Sequence, residues 1–165
     1  ADGPGGSGPG SGNGVSANVD YDPFDTAPIP GVCAPLNQDP DCSAAFASPD
    51  TLWPPNHKFV PVGVEGVTDP DGDEVVITID SIFQDEPVDA TGDGAFAPDG
   101  QGVGTATAEV RAERDGGGNG RVYAIGFTAD DGNGGTCTGM VTVDVPKSGE
   151  KGAVDDGATY DSTLS

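Results

Sequence analysis

The chain has 165 residues, room for one domain with tails, and carries 28 acidic against six basic side chains, a formal net charge of −22. That balance argues against nucleic acid, whose binding rests on cationic contacts to phosphate, and against anionic membrane surfaces. No run of eighteen apolar residues occurs, so no segment reads as a membrane-spanning helix and no membrane insertion is expected.

Gly and Pro number 28 and 15, near the level at which low complexity is suspected, but they gather towards the ends. Three cysteines, Cys33, Cys42 and Cys137, in a chain with almost no lysine point to an oxidising, extracellular setting in which one pair bridges. A start at Ala1 instead of Met is what a secreted product cut after a small residue would show, its signal peptide already removed.

In chain order, residues 1–14 contain seven Gly, two Pro and two Ser and read as a flexible linker. Residues 15–21 follow, V-S-A-N-V-D-Y, with Val15, Ala17, Val19 and Tyr21 alternating with polar residues as in a half-buried strand. Pro23, Pro28, Pro30, Pro35 and Pro40 then keep residues 22–41 extended. The strand at 15–21 therefore sits on a long arm. It can fold back on its own domain or add to the sheet edge of a neighbouring copy.

The globular part is expected over 42–146, with strands near 43–48, 59–67, 74–83, 105–114, 121–129 and 136–145. Alternation is clear in Val60, Val62 and Val64, in Val75, Ile77 and Ile79, in Tyr123, Ile125 and Phe127, and in Val141, Val143 and Val145. No window of ten or more residues repeats apolar side chains at a 3.6 spacing. Short strands with Gly/Pro turns between them predict an all-β, immunoglobulin-like antiparallel sandwich. Residues 147–165 read as a C-terminal tail with a short strand around 158–160.

Two acidic bends interrupt this pattern. Residues 69–74 read D-P-D-G-D-E, and residues 130–135 read D-D-G-N-G-G. Carboxylates at alternate positions around a Gly-permitted turn suit a hard cation that takes six to eight oxygens. The candidate Ca2+ ligands are Asp69, Asp71, Asp73 and Glu74 with Asp130, Asp131 and Asn133; without an ion, both bends are ordinary solvated turns. An EF-hand is excluded, because Gly72 falls at the fourth loop position and no Glu occupies the twelfth. A second acidic cluster, Asp85, Glu86, Asp93 and Asp99, is a further candidate for metal.

His57 is the single histidine; with no nucleophile, base and acid set in view, it is expected to hydrogen-bond within the Pro-Pro turn while Trp53 packs on the core. Arg111, Arg114 and Arg121 are expected to pair with acids on the sheet surface or to fix the Asp/Gly-rich loops. Cys137 shares the register of Val141, Val143 and Val145 and so points at the core. Cys42 is its first candidate partner, and Cys33–Cys42 is the rival pairing.

The stretch L-W-P-P-N-H-K-F-V-P-V at 52–62, with V-T-D-P-D-G-D-E at 67–74, Q-D-E-P-V at 84–88, G-D-G at 92–94, V-R-A-E-R at 110–114, G-N-G-R-V-Y at 118–123 and T-A-D-D-G-N-G-G-T-C-T-G at 128–139, resembles a domain of bacterial secreted and cell-surface proteins related in look to cadherin-like and PKD-like modules. The resemblance covers about residues 42–146, including Cys42 and Cys137, and says nothing of either tail. It implies an immunoglobulin-type sandwich, often with calcium, and no enzyme. In such a sandwich the two acidic bends lie at the same end.

The expectation is therefore a secreted, non-enzymatic, calcium-binding structural protein that joins copies of itself head to tail into an extracellular filament or surface layer. The competing expectation is a carbohydrate- or protein-binding or spacer module of a larger secreted hydrolase or adhesin.

Overall fold

The computed structural model describes residues 35–89, 92, 94–149 and 152–165. All of them but Pro35 belong to a compact unit spanning Leu36–Ser165. The strand expected at 15–21, Cys33 and Asp93 lie outside the described residues. The unit is all-β: β1 (Phe46–Ser48), β2 (Phe59–Glu65), β3 (Val76–Gln84), β4 (Gly100–Gln101), β5 (Ala108–Arg111), β6 (Gly120–Asp130), β7 (Thr136–Pro146) and β8 (Tyr160–Asp161). They form two antiparallel four-stranded sheets, ordered β1-β2-β5-β4 and β7-β6-β3-β8.

Period-two alternation builds the interface between the sheets. Val62 and Val110 from one sheet meet Ile79, Tyr123, Ile125, Phe127, Val141, Val143 and Val145 from the other, all buried. In β3 the inward parity changes partway. A bulge between Ile79 and Ser81 moves the inward set from the half-buried Ile77 and buried Ile79 to the buried Ile82 and Gln84, because an extra residue in one strand reverses which side chains face in. Phe127 is cross-strand partner to Gly139, where a Cβ would stand 2.7 Å from its ring; only glycine leaves room for it.

Six of the eight strands fall where alternation predicts them. The two-residue β4, Gly-led, carries no pattern to read. The C-terminal segment does more than trail: β8 pairs with Phe83 and Gln84, and Ser162 is fully buried. The N-terminal boundary also shifts. Asp41 bridges to Thr68, and Asn37 and Gln38 bond to the acidic bends, so the compact unit begins at Leu36 and not at residue 42. Trp53 is half exposed, lying against Gly149, and Leu52 takes the core position instead.

The disulfide is Cys42–Cys137, which answers the choice left open by the sequence. It ties the segment entering β1 to the start of β7, across a sequence separation of 95 residues. Among the described residues no helix is long and apolar enough to cross a membrane.

Closing a loop of that length removes unfolded-state entropy worth about 4–5 kcal/mol in the chain-entropy treatment. The double substitution Cys42→Ala/Cys137→Ala should therefore lower the unfolding free energy in urea by about 2–5 kcal/mol. A loss below about 0.5 kcal/mol would mean that the bridge adds nothing to the packed sheets.

Candidate metal centre

Strand register sets the site. Val76 at the start of β3 pairs with Asp130 at the end of β6, so the bend before β3 and the bend after β6 emerge side by side. The expected meeting of the two acidic stretches is seen directly: the Asn133 side-chain amide donates to Asp73 Oδ2 at 2.8 Å.

Within the first bend, Asp69 Oδ1 accepts the backbone N–H of Asp71 at 2.8 Å and of Asp73 at 3.1 Å. Those bonds curl the chain so that Asp69, Asp71 and Asp73 converge, with one carboxylate oxygen from each lying within 4.8 Å of the others. Gly72, with φ of 84°, makes the turn that this needs. Asp69 Oδ2 is buried and has no hydrogen-bond partner. A buried carboxylate oxygen without a donor is costly unless a cation faces it. The three aspartates can hold a metal ion, and the orphaned oxygen fits one.

The second bend braces the first. Asp131 is buried; its Oδ1 accepts N–H from Asn133 and Gly135, and its Oδ2 accepts the Asn37 amide at 2.7 Å. The Asn37 amide holds the Asp131 carboxyl below the usual carboxylate range, helped by the N–H groups of Asn133, Gly135 and Gly134 and opposed by burial. Asp130 takes the Gly132 N–H, and Glu74 is exposed. Gln38 clamps Asp71 through its backbone N–H and its side chain, at 2.7 and 2.9 Å. The arm residues Asn37 and Gln38 escaped the sequence reading because an extended Pro-rich segment gives no sign of where it docks.

The proposed second cluster is not assembled as a metal site among the described residues. Nine residues of β3 separate Glu86 from the Asp69 bend, about 30 Å at strand rise. At that opposite pole Arg121 is fully buried, donating to Asp99 Oδ2 at 2.8 Å and Glu86 Oε2 at 3.2 Å. Asp99 also accepts from Gln84, Glu86 from the Asp115 N–H, and Asp85 from the Val122 N–H. Burial opposes the Arg121 charge, but Tyr123, Asp99 and Glu86 hold its pKa above the ordinary value. These acids serve an arginine. Arg121 occupies an inward position in phase with Tyr123, Ile125 and Phe127, so alternation already marked it as buried and the expected surface pairing was wrong for it.

The other cations do fix loops. Arg111 donates to the carbonyls of His57 and Pro98 and lies 4.4 Å over the Phe59 ring; Arg114 reaches the carbonyls of Asp115 and Lys147. His57 Nδ1 is 2.9 Å from Glu113 Oε2, and its ring stacks near Phe96. Its partner is thus a buried acid beyond β5, not a group of its own turn.

No protein-family model matches the chain, and no curated protein or solved structure is significantly similar to it. The molecule is a disulfide-linked β-sandwich with a cluster of aspartates at one pole that can hold a metal ion and a buried ionic network at the other.

Two predictions follow from these poles. Arg121→Met strips the shared cation from two buried carboxylates and should cost about 3–5 kcal/mol in urea unfolding; a cost under 1 kcal/mol would show that the acids do not depend on it. The lowered Asp131 value means that its stabilisation is present above the ordinary carboxylate pKa and is lost as pH falls through its folded value. NMR titration should find Asp131 titrating below the ordinary carboxylate range, and Asn37→Leu should move it up; an unchanged midpoint would remove Asn37 from the explanation.

Proposed function

We propose that this is a secreted, immunoglobulin-like structural module that binds calcium at its acidic pole and polymerises by lending residues 15–21 to the next copy. The observation that carries the metal reading is Asp69 Oδ2, buried without a donor beside two further carboxylates. Three carboxylate oxygens within 4.8 Å of one another can share one cation, and an irregular loop site suits the flexible six to eight oxygens of Ca2+ better than the near-ideal octahedron that Mg2+ demands. Asp69, Asp71 and Asp73 would hold the ion, with Asn133 and the exposed Glu74 and Asp130 near enough in the chain to complete it.

Polymerisation is supported by the alternation of apolar and polar residues at 15–21, followed by a Pro-rich stretch. Donation of this kind is head to tail and does not close, which makes a filament. Calcium acts on it in two ways: it offsets part of the −22 charge that keeps copies apart, and it stiffens the bends to which Asn37 and Gln38 anchor the base of the arm. The Cys42–Cys137 bridge is compatible with the extracellular setting. A non-catalytic role agrees with an ionic network whose groups are tied up in structural bonds.

A binding or spacer module is the second reading, favoured by a groove of about 550 Å³ beside β3, lined by Ile82, Phe83, Pro98, Val103 and Asp161. A glycan or peptide that bound there to the isolated monomer would support it.

Titration calorimetry and thermal melts test the metal. Calcium at a hundredfold excess over its Kd should stabilise the fold by about 2.7 kcal/mol. Asp69→Asn keeps the acceptor for the Asp71 and Asp73 N–H groups but replaces the orphaned oxygen, and should abolish the heat of binding. Binding that survived this change would place the ion elsewhere. Chelator should also disperse polymers seen by electron microscopy, and polymers unaffected by it would separate assembly from calcium.

A further inference from the structure

The outer edge of β7 is the longest run of open hydrogen-bonding groups among the described residues. β7 pairs with β6 in unbroken register from Asp130↔Thr136 to Gly120↔Pro146. Asp144 turns its N–H and C=O away from β6, to Asp50 and Leu52. Backbone groups of an antiparallel strand alternate sides, so Thr136, Thr138, Met140 and Thr142 also point theirs outward. No described residue bonds to them there. Met140 is 68% exposed. Residues 136–143, T-C-T-G-M-V-T-V, carry no charge and no proline, in a chain with 28 acids. Natural edges are usually guarded by charge, proline or shortness, and this one has none of those guards.

The other edges are closed or short. On the outer edge of β3, Ile79 donates its N–H to the Thr105 carbonyl and accepts the Gly104 N–H, the Ile82 carbonyl accepts from Ser162, and Phe83 and Gln84 pair with β8. β1 and β4 have three and two residues.

We infer that the β7 edge, residues 137–143, is the acceptor for residues 15–21 of a second copy; this rests on the assembly reading above. The two stretches match in length, seven residues each, about 20 Å at strand rise. With Val15, Ala17, Val19 and Tyr21 turned inward beside Cys137, Gly139, Val141 and Val143, the polar Ser16, Asn18 and Asp20 lie on the outer face with Thr138, Met140 and Thr142. Fourteen residues with four prolines separate Tyr21 from Leu36, a reach of up to about 43 Å, enough to bring residues 15–21 to the edge of a second copy.

Disulfide trapping between unlike copies tests the edge, with Cys33→Ser in every copy. One full-length chain carries Asn18→Cys, the other Met140→Cys or, as control, Thr78→Cys on β3. Mixed with calcium and oxidised, the first pair should give an unlike dimer and the control at least tenfold less. Met140→Lys should cut polymer mass at least tenfold with the melting temperature of the monomer unchanged. If the wild-type chain polymerises but Asn18→Cys traps Thr78→Cys, or nothing, and Met140→Lys still assembles, the acceptor edge is wrong and assembly stands. If the wild-type chain stays monomeric with calcium, the assembly reading fails and this assignment with it.

Discussion

Repulsion among carboxylates governs where this chain can bend. At separations of 4.8 Å, the bound among the Asp69, Asp71 and Asp73 oxygens, each pair of charges costs roughly 1 kcal/mol in bulk water and about 3.5 kcal/mol near a protein surface. Two backbone N–H bonds onto Asp69 Oδ1 offset part of that. They leave Asp69 Oδ2 unanswered. Everything proposed for the acidic pole, from calcium to the anchoring of the arm by Asn37 and Gln38, depends on what answers that oxygen.

The two poles solve the same electrostatic problem by different means. At the far pole, Glu86 and Asp99 are buried around Arg121, a cation built into the sequence at an inward strand position. The Asp69 pole has no such cation among the described residues, and Asp71 beside it is exposed. A fixed arginine makes one end permanent, and the proposed exchangeable ion would make the other conditional.

Much of the fold was legible because half-buried strands write a period of two into the chain. Val60 to Val64, Tyr123 to Phe127 and Val141 to Val145 gave strand, facing and neighbourhood together, and the same register pointed Cys137 inward to its bond with Cys42. The acidic bends were legible as chemistry, and their meeting followed once β3 and β6 were neighbours. What stayed hidden had no local period. The bulge at Ile79–Ser81 changes parity without a marker, β4 has two residues, and the docking of Asn37, Gln38 and the C-terminal strand depends on distant partners. Glu86 and Asp99 were misread because acidity alone cannot distinguish a ligand for calcium from a counterion for a buried arginine. The side chain that settles it, Arg121, was read as a surface residue despite its inward phase.

The most direct test of the central claim is a crystal structure at millimolar calcium with anomalous scattering recorded at long wavelength. The account predicts an anomalous peak between the two bends, bonded to Asp69 Oδ2 at about 2.3–2.6 Å. Water alone at that oxygen, with calcium abundant in the crystal, would contradict it.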